Sequence, residues 1–455
     1  MENALNKRYG LITAITMVVG IVIGSGVFFK AEKILNCTGG DLQIGILAWI
    51  IGGLIMVICA YTFSIMATKY EKVNGVVDYA EAMLGKRYGY YLGWFMTTMY
   101  FPAMTSVLAW VSARYFCVLL GWDITGGSCM VIAGFFLVAS FAMNALAPVL
   151  AGKFQVSTTV IKMIPLALMA VVGTIKGLSN GLLIENFSEV AIPASELGGK
   201  GYMLFTAVCA TSFAYEGWII ATSINSELKD AKKNLPRALV IGTLIVMATY
   251  ILYYVGLAGA VENSIMMAGG ETGAKIAFAN VFSNIGGTLL FVFIVISCLG
   301  TLNGLMVGTV RGLYSLAARG NGPRPDIMKQ VDPVVNMPIN SAVIGALLVA
   351  AWLLYFYGAN LSTGWFGPFC FDSSELPIIT IYAMYIPIFF MVMKKEKDWG
   401  TFKRYIMPGL SIIACIFIVI AAFFAHRMAV VFYLIVFAVV MLIAIKFDNT
   451  RKEAK

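Results

Sequence analysis

Long apolar stretches alternate with short polar ones along the whole sequence. A helix needs about 20 apolar residues to cross a bilayer. Bounding the apolar runs by charges and turn residues predicts twelve such helices. They lie at 10–36, 44–68, 88–120, 129–150, 156–176, 202–225, 237–261, 280–315, 339–358, 374–393, 406–425 and 428–446. The third and eighth are long enough to cross at a strong tilt, and the tenth has a polar start around Asp372–Glu375. The expected fold class is therefore an all-α polytopic membrane protein, a single transmembrane domain over 1–455.

Composition excludes the main alternative. Of 455 residues, 60% are hydrophobic and 12% charged, against about 25% charged in a soluble domain. A soluble globular enzyme of this size could not cover its surface with so few charges. The single histidine, His426, excludes most multi-histidine metal and haem sites. None of the eight cysteines forms a C-x-x-C pair, and several lie deep in apolar runs, the usage of small hydrophobes rather than of a disulfide framework. The first apolar run has no small-residue cleavage site, so it is read as a retained span.

Lysine and arginine placement orients the chain. With a cytoplasmic N-terminus, 24 of the 32 basic residues fall in inner segments. Six fall outside, at Lys30, Lys33, Lys176, Lys200, Lys275 and Arg427, while Arg114 and Lys162 lie within spans. That asymmetry follows the positive-inside rule and predicts both termini on the cytoplasmic face. It also accounts for the net charge of +9 with no nucleic-acid partner.

Two spans read as interrupted helices. The first carries Val22-Ile23-Gly24-Ser25-Gly26-Val27 at mid-span, and the sixth carries Ser212-Phe213-Ala214-Tyr215-Glu216-Gly217-Trp218. Irregular backbone at membrane depth is tolerated where it lines a cavity or is buried in protein. Paired glycine-interrupted segments in two halves of a chain point to a transporter's binding site. The spacing suggests an inverted five-plus-five repeat: repeat A over 10–176, repeat B over 202–393, and two added helices over 406–446. Breaking a helix frees N–H groups at one half's start, which suit a carboxylate, and C=O groups at the other half's end, which suit an ammonium. A free α-amino acid carries both charges. The plainer reading of Gly24-Ser25-Gly26 is close helix packing through small residues; the matching interruption at 213–217 favours a site.

These segments resemble a known family. Gly24-Ser25-Gly26-Val27-Phe28 resembles the G-S-G-I/V-F motif of the amino acid–polyamine–organocation (APC) superfamily. Phe213-Ala214-Tyr215-Glu216-Gly217-Trp218 resembles the F-A-Y-x-G-W stretch of its L-type amino-acid transporter (LAT) branch. Ser297-Cys298-Leu299-Gly300-Thr301-Leu302-Asn303-Gly304, with Arg311 beyond it, and Asn74-Gly75-Val76-Val77-Asp78-Tyr79 through Gly93-Trp94 are similar to further patterns of that branch. The likeness runs from about Tyr9 to Pro338 and points most to its bacterial serine/threonine and alanine–serine–cysteine exchangers. It implies a LeuT-type fold and alternating access. By motif position, the substrate carboxylate would meet N–H groups at Ser25, Gly26 and Val27, and the ammonium would meet carbonyls near Val22, Ile23 and Phe213. The resemblance also makes Phe213 an aromatic lid and Trp218 part of the pocket wall. The variable position, often glycine in animal members, is Glu216 here.

Charges and polar groups inside spans supply the remaining candidates, since buried ionisable residues in membranes are costly and usually functional. Lys162 lies six residues into span five, about 9 Å at the helical rise, within snorkelling distance of the interface. The resemblance suggests the other role: an ammonium standing where sodium-coupled relatives of the fold hold a cation, bracing the broken first helix. Glu216 would shape substrate choice, carry a proton or serve as a hydrogen-bonded strut. Asn303 and Tyr100, beside Pro102, are divided between pocket roles and interhelical hydrogen bonds, and Arg114 reads as an interfacial anchor.

The resulting functional reading is exchange of small neutral L-amino acids, without cofactor or metal, in a cell membrane and most simply a prokaryotic inner membrane. A proton-coupled symporter using Glu216 or Lys162 is the alternative, and a non-transporting sensor is disfavoured by the short polar ends. An intramembrane enzyme is opposed by the absence of H-E-x-x-H, G-x-G-D or a serine–histidine pair at depth. Animal relatives of the resembled branch pair with a single-span heavy-chain glycoprotein through a cysteine between spans three and four. Cys129 lies near that place, yet the short loops around it predict a chain without that subunit.

Overall fold

The computed structural model describes residues 10–70, 75–219, 228–362 and 364–450. Its labelled helices are α1 (Leu11–Val22), α2 (Gly26–Cys37), α3 (Leu42–Lys69), α4 (Val76–Leu84) and α5 (Lys86–Leu120). Next come α6 (Gly127–Leu146), α7 (Pro148–Ser179), α8 (Lys200–Ala214), α9 (Ala231–Ala258) and α10 (Glu271–Ala317). The chain continues with α11 (Ile339–Leu361), α12 (Leu376–Lys395), α13 (Phe402–His426) and α14 (Met428–Lys446). Among the described residues the only β-pairing is an isolated bridge between Asp332 and Met337.

Ten of these helices are long and apolar enough to cross a membrane, and α1 with α2, bent by 49°, makes an eleventh. The sixth expected span begins as α8, which stops at Ala214; its expected end at 220–225 lies outside the described residues, as do Asn74, Lys7, Arg8, Arg451, Lys452 and Lys455. The protein is thus an all-helical, multi-pass membrane protein.

Local chemistry explains the boundaries. The Asp41 carboxylate accepts from Ile44 N at 3.0 Å and so caps the start of α3. Gly121 ends α5 in the left-handed conformation, φ 69°. The third expected span is one continuous helix over its full length, with a π-helical turn at Met96–Tyr100 just before Pro102. Proline cannot donate to the carbonyl one turn back, and Trp352 Nε1 supplies the missing bond to Thr98 O at 3.0 Å. The eighth span is not simply tilted: it bends at Ser283, φ 66°.

Packing between spans relies on close backbone approach, as expected where lipid provides little drive to separate helices from solvent. On α9, a Cβ at Gly256 would stand 2.2 Å from Met169 O on α7. The largest buried side chains are aromatic, and three of them brace the interrupted helices. Trp49 of α3 packs edge-on at 5.5 Å against both Tyr215 and Tyr250, themselves 5.2 Å apart. All eight cysteines are free thiols.

Candidate substrate site

The first span breaks where three residues without bulky side chains follow one another. α1 ends at Val22, Ile23 is extended (ψ 107°), and α2 restarts at Gly26. The first intrahelical bond of α2 runs from Phe29 N to Ser25 O at 2.9 Å. The N–H groups of Gly26, Val27 and Phe28 therefore precede any intrahelical acceptor, and the positive end of the α2 dipole lies with them. The Ser25 hydroxyl is buried beside them without a hydrogen-bond partner among the described residues.

The end of α8, where the sequence predicts the second interruption, packs directly on the first. α8 ends at Ala214, and a Cβ on Gly26 would stand 2.5 Å from Ala214 Cα. Gly217 turns with φ 102°, its Cβ position 3.3 Å from Ile21 O. Tyr250 of α9 ties the two ends together: its hydroxyl lies 3.1 Å from both Val22 O and Ala214 O. One phenolic proton is shared between them, and each carbonyl keeps a free lone pair. Donors and acceptors of both breaks thus face one small region, the arrangement that a zwitterion can use at both of its charges.

A cavity of about 680 Å³ adjoins this region. Of the residues singled out in the sequence, Val22, Ser25, Gly26, Phe213, Glu216 and Tyr100 line it; Ile23, Val27, Trp218, Asn303 and Lys162 do not. The lining continues past Gln155, Thr301 and Gly304 to Gly75, Gly93, Arg311 and Leu316, towards the end of the bundle where α5 begins and α10 ends.

Among the described residues, Glu216 carries the one carboxylate in this lining. Its Oε1 accepts from Tyr100 Oη at 2.5 Å, while Oε2 is buried without a hydrogen-bond partner among the described residues. All three expected roles, substrate selection, proton carriage and strut, are physically compatible with that half-used carboxylate. Phe213 packs edge-on against Phe29 at 5.7 Å, and the Lys30 ammonium lies 5.2 Å from its ring centroid.

Trp218 and Asn303 stand away from the cavity. The indole of Trp218, fully buried, donates to Tyr382 Oη at 3.1 Å and packs on Phe63, so it braces the helix behind the wall instead of forming it. Asn303 accepts from Asn144 Nδ2 at 2.8 Å and donates to Ala151 O at 3.1 Å and Gln155 Oε1 at 3.2 Å. Its amide is consumed in joining α10 to α6 and α7, and it reaches the cavity only through Gln155. Lys162, buried in α7, donates to the Gly20 carbonyl near the end of α1.

Beyond Phe213, whose ring the Lys30 ammonium faces, lies a largely buried ion network that joins residues far apart in sequence. Lys30 of α2 lies 2.6 Å from Glu375 Oε1 and donates to Ser374 Oγ at 3.0 Å. Lys33 bridges Asp372 at 2.8 Å and Glu375 at 2.5 Å, and His426 Nε2 is 3.0 Å from Glu375 Oε2. Lys30 and Lys33 read as boundary charges at the end of a span, and the polar start of the tenth span was the one signal of their partners.

Fold and site define a class: a multi-pass membrane transporter, not an enzyme. The chain belongs to the amino acid permease family of the APC superfamily, whose profile matches residues 9–445. Among its relatives, the serine/threonine exchanger SteT of Bacillus subtilis is 30% identical over 408 residues, covering 90% of this chain and 87% of that one. The human large neutral amino acids transporter small subunit 2 is 25% identical over 351 residues, 74% of this chain and 62% of that one. The mouse Asc-type amino acid transporter 1 is 24% identical over 353 residues, 76% and 65% respectively.

Proposed function

We propose that this permease exchanges small neutral L-amino acids of the alanine, serine, threonine or cysteine type by sodium-independent alternating access. The observation that carries the reading is the apposition of the two interruptions, Gly26 against Ala214, with free N–H groups on one side and carbonyls on the other. A zwitterion would be held by backbone alone: its carboxylate at Ser25, Gly26 and Val27, its ammonium at carbonyls near Val22, Ile23 and Phe213. Gly24, Gly26 and Gly217 keep the volume beside the breaks small, and the names of the bacterial exchanger and the Asc-type relative support the same substrate class. Lys162 at the Gly20 carbonyl supports sodium independence, since its ammonium stands against α1 where a coupling cation would otherwise help to hold it.

The reading includes twelve spans in a five-plus-five repeat with two added helices, LeuT-like, both termini cytoplasmic. In that orientation the cavity faces the cytoplasm and the Lys30–Glu375 network closes the outer side. It further places the protein in a prokaryotic inner membrane without a heavy-chain subunit; Cys129, fully buried, offers no accessible thiol for one.

Counterflow in proteoliposomes tests the proposal. Labelled serine or alanine should enter only vesicles preloaded with a small neutral amino acid, equally with and without sodium. Uptake into empty vesicles driven by an inward proton gradient would replace exchange with proton symport, a reading that the unpartnered Glu216 Oε2 favours. Binding without flux would leave a sensor.

A further inference from the structure

A second cavity, of about 410 Å³, lies between α3, α9 and the first turn of α13, away from the substrate site. Its rim holds four cations: Lys232, Lys233 and Arg237 from the first two turns of α9, and Lys403 from α13. Its floor is apolar, with Ile65 and Ile241 among its walls. Four like charges around one hollow repel each other by Coulomb's law, so the arrangement gains stability from an anion between them.

Among the described residues, the protein does not supply that anion to three of the four. Among the described residues, no carboxylate lies within ion-pair distance of Lys233, Arg237 or Lys403. Glu396, near this end of α3, is already engaged by Lys69 at 2.5 Å and Tyr70 at 2.6 Å. Below the rim the apolar floor runs out onto the lipid-facing side of the bundle: Ile241, Leu244 and Ile245 on α9 and Phe402 and Ile406 on α13 are all exposed. A ligand suited to this place has a negative head at the charged rim and hydrocarbon along those side chains.

We infer that this hollow is a binding site for an anionic glycerophospholipid, its phosphate held by Lys233, Arg237 and Lys403 with Lys232 at the edge, and its acyl chains laid along the exposed faces of α9 and α13. Basic pockets between transmembrane helices are suited to such headgroups. A free phosphate would meet the same cations but would leave the apolar floor uncovered, which is why the lipid is the occupant.

Native mass spectrometry of the full-length protein in neutral detergent tests the inference, with phosphatidylglycerol, phosphatidylcholine and inorganic phosphate as separate probes. Wild type should retain phosphatidylglycerol in preference to phosphatidylcholine, and millimolar phosphate should not displace it. Each cation near the surface contributes about five-fold, so the Lys233→Ala/Arg237→Ala/Lys403→Ala variant should bind phosphatidylglycerol at least ~10-fold more weakly. A control removing Lys394, Lys395 and Lys397 should retain it. Exchange in phosphatidylcholine vesicles should persist in the triple variant, which verifies its fold. Equal retention by wild type and triple variant, equal loss in the control, equal affinity for phosphatidylcholine, or displacement by phosphate alone would each overturn the assignment.

Discussion

The Lys30 ammonium and the Glu375 carboxylate meet at 2.6 Å with both side chains withdrawn from solvent, joining the second half of the broken first span to the start of α12. Removing one partner of a buried ion pair strands the other and costs about 3–5 kcal/mol, whereas replacing both with apolar groups is often neutral. Glu375→Gln leaves Lys30 and Lys33 without their shared carboxylate. It should therefore lower the thermal unfolding temperature in detergent by several degrees. Lys30→Met with Glu375→Leu should recover part of that loss, and a double variant no more stable than Glu375→Gln would remove the pair from any role in stability.

Gly26 packs so tightly on Ala214 that a methyl group there would come within 2.5 Å of backbone. Backbone cannot rotate aside as a side chain can, so Gly26→Ala must push the two interruptions apart. We expect the variant to insert and remain monodisperse on size exclusion, yet to lose counterflow at least ~10-fold, the effect of misplacing binding groups by about 1 Å. Wild-type exchange in this variant would show that the two breaks need not touch.

The spans and the first break were legible because they rest on local properties: hydrophobic length, and glycines at mid-span. The helix end at Ala214 was legible for the same reason, through Gly217 just after it, while the rest of that expected span lies outside the described residues. Tyr250 was not, because nothing in an apolar stretch containing Tyr250, Tyr253 and Tyr254 says which hydroxyl will meet the carbonyls of two helices far away in sequence. Lys30 and Glu375 were hidden likewise: each sits near a span end, where charges normally face water or headgroups, and only their juxtaposition across 345 positions reveals a buried pair. Asn303 and Trp218 show how far a side chain's partners are hidden in sequence. The mid-span amide of Asn303 marks a residue that needs partners, and its bonds to α6 and α7 are one of the two roles the sequence left open; the indole of Trp218 meets Tyr382, a partner far away in sequence.

Tyr250 offers a controlled comparison on one helix. Its hydroxyl serves Val22 O and Ala214 O, while the buried hydroxyl of Tyr253, one turn along, has no hydrogen-bond partner among the described residues. Tyr250→Phe should cost about 1–3 kcal/mol by leaving buried carbonyls short of a donor and should weaken substrate binding in a scintillation proximity assay. Tyr253→Phe should be neutral or slightly stabilising in the same measurements. Matching behaviour of the two variants would mean that the shared bond does not hold the breaks in place.

Lys162 joins α7 to α1 through the Gly20 carbonyl. Lys162→Met keeps the length and apolar stem of the side chain but removes the donor. Exchange should then fall or become unequal from the two faces, measured with inside-out and right-side-out vesicles, because α1 loses its tether in one state more than in the other. Kinetics identical to wild type from both faces would dismiss the tether.

Glu216 separates exchange from proton coupling. With Oε1 held by Tyr100 at 2.5 Å and Oε2 buried beside the cavity without a partner among the described residues, the carboxylate has one oxygen to offer a substrate or a proton. Glu216→Gln keeps the shape and an oxygen acceptor for Tyr100 while removing the titratable site. In a pure exchanger, amino-acid counterflow should continue in this variant, with selectivity altered among serine, threonine and alanine because the free oxygen becomes an amide. In a symporter, uptake driven by a proton gradient should vanish while counterflow survives, since counterflow needs no net proton movement. Tyr100→Phe supplies the independent check. It frees Oε1 without changing the charge, so it should shift selectivity in either case and leave any proton-driven component intact. Loss of proton-driven uptake in Glu216→Gln alone would therefore assign the proton to Glu216 itself and not to the hydrogen bond that holds it.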